Sequence, residues 1–109
     1  MKLLTRSNKG QRHIDFSRTG FHPTTRGCLK ALWDIYQIDS PQKVLDIGTG
    51  TGILAISAAK PGAREVLDID HNQLAVETAR KNVLLNGVED RVEVSRGKAE
   101  KIEWMKNTG

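Results

Sequence analysis

The sequence has a single cysteine, Cys28, among its 109 residues. One cysteine cannot form an intrachain disulfide, and it offers no metal-ligand spacing, so we expect Cys28 to pack on a helix. The chain also lacks any apolar run near the roughly 20 residues that a membrane span requires. Leu3-Leu4 is too short for the apolar core of a signal peptide. These absences favour a cytoplasmic protein with no membrane association.

Acidic residues are scarce near the N-terminus, although the whole chain has a net charge of only +4. Residues 1–30 carry a charge of +6, whereas the remaining residues carry −2. Such a distribution is typical of a solvated terminus, and it also favours contact with RNA or an acidic surface. Because Gly10 and Gly20 interrupt this stretch, we expect residues 1–22 to form an irregular basic arm.

From residue 23 onward the apolar pattern alternates between helical and strand spacing. Pro23-Thr24-Thr25 predicts a helix start, after which Cys28, Leu29, Leu32, Trp33 and Tyr36 follow at helical spacing. The later elements are predicted as strands at 43–47, 65–70 and 91–95 and as helices at about 51–60 and 72–86. Strands joined by helices indicate an α/β fold with a parallel sheet and helices on both faces.

The stretch VLDIGTGTGIL over residues 44–54 places three glycines between the first of these strands and the next helix. Gly48 permits a tight turn, Gly50 lets a ligand reach the backbone, and Gly52 lets the helix pack close to the strand. In such folds, ligands bind beyond the carboxyl ends of the strands. The following helix N-terminus adds free N–H groups there.

Three interpretations of this loop remain open from the residues alone. Gly50 to Ala55 satisfies the dinucleotide pattern G-x-G-x-x-A, but the carboxylate of Asp46 would repel a pyrophosphate. Asp46 suits a ligand with a cationic or hydrogen-bond-donating group. A glycine turn that binds no ligand is the third interpretation.

A second carboxylate on the next strand would hold the hydroxyls of a ribose, since it can accept two hydrogen bonds. Asp68 and Asp70 point to the same face of that strand. Asp70 is favoured because it lies at the carboxyl end, where the ligand is expected. Asp68, two residues deeper, is the alternative.

The pattern D-x-G-x-G-x-G from Asp46 resembles motif I of the class I S-adenosylmethionine-dependent methyltransferases. Two further segments, TGFHPTT at 19–25 and GILAISA at 52–58, resemble the ribosomal large-subunit-protein methyltransferases, as does NVLLNG at 82–87. The resemblance covers about residues 16–95. It implies a Rossmann-like fold, S-adenosylmethionine as cofactor and a protein substrate such as a ribosomal protein.

The resemblance also assigns cofactor-binding residues. An ungapped comparison from the glycine loop places the ribose carboxylate at Asp70. Lys98 stands where many class I methyltransferases have an acidic residue near the adenine, which leaves a backbone contact at Ala99. The implied cofactor-binding residues are Thr25, Asp46, Gly48, Thr49, Gly50, Gly52, Asp70 and Ala99.

The resemblance further implies that residues 23–109 form part of a cofactor-binding domain with about three parallel strands. The fourth strand, which would carry the catalytic-site motif, is not expected within this sequence, so no catalytic residue is predicted. The first strand would then be an unprotected edge, which invites self-association. A non-catalytic cofactor-binding or interaction module and a dinucleotide-binding oxidoreductase fragment are the alternative functions.

Overall fold

A computed structural model of the chain describes residues 2–15, 25–48 and 50–97. These residues form one five-stranded sheet and three helices, and the strand order is β2-β1-β3-β4-β5. The strands are β1 (Lys2–Ser7), β2 (Gly10–Asp15), β3 (Lys43–Ile47), β4 (Glu65–Asp70) and β5 (Val92–Arg96). The helices are α1 (Thr25–Ile38), α2 (Ile53–Ala59) and α3 (Gln73–Leu85). No helix within the described ranges is long and apolar enough to cross a membrane.

The three strands predicted from residue 43 onward form the parallel part of the sheet. β3 pairs with β4, and β4 pairs with β5, both in parallel. The predicted bounds of β3 and β4 match the structure, whereas β5 begins and ends one residue later than predicted. The α/β fold class is therefore confirmed.

All three described helices contribute to one apolar core on a single face of the sheet. This core contains Val44, Val66 and Val92 from the parallel strands. A second apolar cluster lies on the other face of the sheet. It consists of strand residues alone: Leu4, Leu45, Leu67 and Ile69, with Ile47 packed against it. For the described residues, the prediction of helices on both faces is thus wrong. Because β3, β4 and β5 follow one another in the same direction, right-handed crossovers place α2 and α3 on the same side.

Helix α1 packs through Cys28, Leu32 and Ile35, which are all buried. The Tyr36 hydroxyl donates a hydrogen bond to the Ala58 carbonyl and so joins α1 to α2. The expected packed position of Cys28 is confirmed. Trp33 also lies in α1, but its side chain is 65% exposed.

Residues 2–15 form a hairpin rather than the expected irregular arm. β1 and β2 are antiparallel, with Ser7 opposite Gly10 and a two-residue turn between them. β1 also pairs antiparallel with β3. Leu3 and Leu4 point to opposite faces of the sheet and enter the two clusters, so burial of both leucines favours docking of the hairpin.

The hairpin also corrects the expectation of an unprotected edge at β3. Five residue pairs, from Lys2–Ile47 to Arg6–Lys43, join β1 to β3 along its length. The predicted self-association through this edge therefore loses its physical basis. The outer strands of the sheet are β2 and β5.

Replacement of Leu3 tests the docked hairpin. We expect Leu3→Ala to lower the free energy of unfolding by about 2–5 kcal/mol, because the fully buried side chain would leave a cavity. Leu74→Ala is the matched control, since Leu74 is 69% exposed and its truncation should change stability by about 0.5 kcal/mol or less. Denaturant unfolding measures both. Equal, small effects would indicate that residues 2–15 do not belong to the folded core.

Candidate functional site

The glycine loop lies at the carboxyl end of β3, as the sequence predicts. Gly48, Gly50 and Gly52 have φ angles of +86°, +77° and +79°, where an L-residue costs about 1–2 kcal/mol. The Gly48 N–H donates to the Ile69 carbonyl at 2.9 Å, which fastens the start of the loop to β4. Thr49 lies outside the described residues. Three left-handed residues in this short stretch turn the chain sharply from β3 into α2.

Gly50 and Gly52 have different surroundings. A Cβ at Gly52 would lie 3.1 Å from the Ala79 Cβ and 3.4 Å from Asp68 Oδ2, whereas a Cβ at Gly50 would meet nothing within 4 Å. Gly52 therefore permits close packing of α2 against α3 and β4. Gly50 faces open space, where a ligand can approach the backbone.

Three carboxylates share the helix-covered face near this edge. Asp46 and Asp68 are directly paired across β3 and β4, and they are 0% and 2% exposed. Asp70 ends β4 with a side chain that is 12% exposed. Burial, and then the charge of Asp46, raise the pKa of the Cys28 thiol, so the first turns of α1 lie close to Asp46.

Asp68 and Asp70 differ in their hydrogen bonds. Oδ2 of Asp68 is buried and has no hydrogen-bond partner among the described residues. Burial raises the pKa of Asp68 to about 7, and the nearby charge of Asp70 adds to this effect. Asp70 Oδ1 instead accepts a hydrogen bond from the Asn72 N–H at 2.9 Å. Asp70 thus shapes the turn into α3, while Asp68 retains an unused acceptor.

Asn72 connects this turn to α3. Its Oδ1 accepts hydrogen bonds from the Leu74 and Ala75 N–H groups at 2.9 and 3.2 Å. This is an N-cap that satisfies two of the free donors at the helix start. The Asp70–Asn72 pair therefore fixes how α3 leaves the end of β4.

Asn82 makes a contact with the glycine loop that the sequence does not predict. Its Nδ2 donates a hydrogen bond to the Thr51 carbonyl at 2.9 Å, from α3 to the glycine loop. The available signal was the spacing of Asn82 and Asn86 within NVLLNG. That spacing alone does not reveal a partner 31 residues away in sequence.

The remaining predicted site residues are only partly placed. Thr25 is the first residue of α1, and Ala99 lies outside the described residues. The structure thus brings Asp46, Gly48, Gly50, Gly52 and Asp70 to one edge of the sheet. Across the parts of the chain that the structure describes, no group of three or more His, Cys, Asp or Glu residues is arranged to hold a metal ion.

Asp68→Asn tests the cost of the buried carboxyl group. Its pKa is about 7 in the folded protein against an ordinary value of 3.8. The folded state therefore binds the proton more tightly, and Asp68 lowers stability as the pH rises from about 4 to 7. We expect Asp68→Asn to stabilise the protein at pH 8 by up to about 4 kcal/mol and to flatten this part of the pH profile.

Denaturant unfolding between pH 4.5 and 8 measures this effect. Asp90→Asn is the control, because its side chain is 76% exposed and should leave the profile unchanged. A variant at Asp68 with the same pH profile as the original protein would contradict the raised pKa.

Residues 17–107 match the family model for ribosomal protein L11 methyltransferase (PrmA). A ribosomal protein L11 methyltransferase from Chloroflexus aurantiacus is 53% identical over 79 residues, which are 72% of this chain and 24% of that protein. One from Heliobacterium modesticaldum is 50% identical over 78 residues, with the same shares covered. The chain spans about a quarter of the length of these relatives.

Solved methyltransferase structures resemble the fold. An RNA methyltransferase from Salinibacter ruber, in complex with S-adenosyl-L-homocysteine, is 29% identical with a TM-score of 0.59. The match covers 71% of this chain and 50% of that one. An O-methyltransferase from Bacillus cereus, in complex with SAH, is 25% identical with a TM-score of 0.65, over 85% and 44% of the two chains.

Proposed function

Because the chain belongs to the ribosomal protein L11 methyltransferase family, we propose that it forms the S-adenosylmethionine-binding part of a methyltransferase that acts on a ribosomal protein. The observation that carries this proposal is the glycine loop, in which three left-handed residues join β3 to α2 beside the buried Asp68. The relatives' names support the substrate class, and the neighbours with bound S-adenosyl-L-homocysteine support the cofactor.

In this proposal the cofactor lies across the carboxyl ends of β3 and β4. Gly50 lets the cofactor approach the backbone, since a Cβ atom placed at Gly50 would have no other atom within 4 Å. The negative charges at Asp46 and Asp70 favour the cationic cofactor electrostatically. When bound, its sulfonium supplies a methyl group for in-line displacement, for which orientation is the main contribution of a protein. Thr25, Thr49 and Ala99 remain proposed contacts by resemblance.

We propose that Asp70 holds the ribose hydroxyls, with Asp68 as the alternative. Asp70 lies at the carboxyl end of β4, and its side chain is 12% exposed. Its Oδ1 accepts the Asn72 N–H, but a carboxylate has further acceptor positions for a diol. Asp68 is only 2% exposed and its Oδ2 is buried beneath the loop, so a ribose has less access to it.

Two further parts of the proposal concern the surroundings of the protein. A cytoplasmic location would bring it to newly made ribosomal proteins. Contact with RNA would use basic residues of the hairpin, of which Lys9 and Arg12 are exposed. Steep weakening of RNA binding with rising salt is expected for such contacts.

Titration calorimetry with S-adenosylhomocysteine and with NAD tests the cofactor class. We expect the former to bind and NAD not to bind, because the carboxylate of Asp46 precedes the loop. Gly50→Ala should weaken binding about tenfold or more, equivalent to ~1.4 kcal/mol, since its methyl group would enter the ligand space.

Gly87→Ala is the matched control for Gly50→Ala. Gly87 also has a positive φ, +67°, and open space around it, so the backbone strain is similar, but it lies after α3. Unchanged affinity is expected. Binding of NAD alone would support the oxidoreductase interpretation and reject the proposal.

The ribose assignment has its own test. Asp70→Asn should weaken S-adenosylhomocysteine binding more than tenfold, because an amide accepts fewer hydrogen bonds than a carboxylate. Its amide oxygen can still accept the Asn72 N–H, so the start of α3 is kept. Asp68→Asn should have an effect of about threefold or less, since its side chain is only 2% exposed. Calorimetry at pH 8 measures both, and the reverse order would assign the ribose to Asp68.

Methyl transfer separates the enzyme from a non-catalytic binding module. The chain is incubated with a radiolabelled methyl donor and ribosomal protein L11. Incorporation of label supports the enzyme. Cofactor binding without incorporation favours the binding module.

A further inference from the structure

We propose that Asn82 is a positioning residue that holds the glycine loop in its ligand-binding conformation. The inference rests on the proposed function, because the loop matters only if a ligand binds there. Asn82 Nδ2 donates to the Thr51 carbonyl at 2.9 Å. Thr51 stands between Gly50 and Gly52, so this hydrogen bond acts at the centre of the loop.

The loop needs such an external contact. Glycine has more conformational freedom than any other residue, and two glycines flank Thr51. Gly52 is the N-cap of α2, and it provides no side-chain capping bond. The Thr51 hydroxyl accepts only a long hydrogen bond from the Ile53 N–H, at 3.4 Å. The side chains at positions 50–52 of the loop therefore restrain it weakly.

Helix α3 provides two neighbouring contacts to the loop. Ala79 lies against Gly52, and Asn82 follows three residues later, on the same face of the helix. The Asn72 cap and the buried Val76 and Val83 fix α3 on the sheet. Asn82 thus connects the Thr51 peptide by a hydrogen bond to a helix that is held in place by its packing. Ordering the loop before the ligand arrives reduces the entropy lost on binding.

Asn82→Ala tests this role. We expect it to weaken S-adenosylhomocysteine binding about three- to tenfold, the range for one lost hydrogen bond. Alanine favours a helix more than asparagine, so thermal stability should stay the same or rise. A purely structural role of Asn82 would lower stability together with affinity. A loss of affinity without a loss of stability therefore indicates a positioning role. Calorimetry and thermal unfolding are the two measurements.

Asn86→Ala is the matched control. Asn86 lies one turn further along, and its Nδ2 donates to the Asn82 carbonyl rather than to the loop. Its replacement should leave affinity within twofold. Asn82→Asp, which keeps the side-chain shape but cannot donate when ionised, should weaken binding at least as much as Asn82→Ala. It also serves if the alanine variant does not fold.

Amide hydrogen exchange in the ligand-free protein provides an independent measurement. Exchange at Thr51, Gly52 and Ile53 should accelerate in Asn82→Ala but not in Asn86→Ala. If the original protein binds no S-adenosylhomocysteine, the proposed function is wrong. The exchange rates still show whether the hydrogen bond from Asn82 to Thr51 restrains the loop. If the original protein binds and Asn82→Ala binds equally well, the positioning role is wrong.

Discussion

The close approach of α2 to β4 and α3 depends on the absence of a side chain at Gly52. A Cβ there would lie 3.1 Å from the Ala79 Cβ, closer than packed carbon atoms normally come. The same approach brings Asp68 beneath the loop and brings α3 near enough for Asn82 to reach the Thr51 carbonyl. The main features of the candidate site therefore follow from one backbone position, at which both the φ angle and the available space require glycine.

The buried carboxyl group of Asp68 at this edge opposes stability. Asp68 is removed from water and lies near Asp70, and both effects raise its pKa. A folded core gains nothing from an unsatisfied acceptor, since apolar packing at the same position would be more favourable. Carboxylates of this kind are characteristic of functional sites, where binding rather than folding determines the residue.

Much of the parallel sheet could be predicted from sequence, because its signals are local. Short apolar runs define β3 and β4, and the glycines predict the turn between β3 and α2. Asn82 could not be assigned a role in this way, because its contact with Thr51 depends on how α3 packs. The choice between Asp68 and Asp70 likewise needed burial and hydrogen bonding, since both residues share a face and differ only in depth. Hydrophobic periodicity identifies which residues share a face of a helix or strand, but it does not identify the residues of other elements that they contact.

The hairpin was the largest departure from expectation, and its direction affects the site. Leu3 and Leu4 are adjacent, so they show no strand alternation, yet each enters a different cluster because β1 is covered on both faces. β1 runs antiparallel to β3, which places Lys2 beside Ile47 at the edge with the glycine loop and Arg6 beside Lys43 at the opposite edge. The turn of the hairpin consequently lies away from the glycine loop. A parallel strand beside β3 in place of β1 would bring its carboxyl end, and the loop after it, to the edge with the glycine loop. The edge with the glycine loop therefore combines the carboxyl ends of β3, β4 and β5 with the start of β1 and, through the pairing of Asp15 with Lys2, the end of β2.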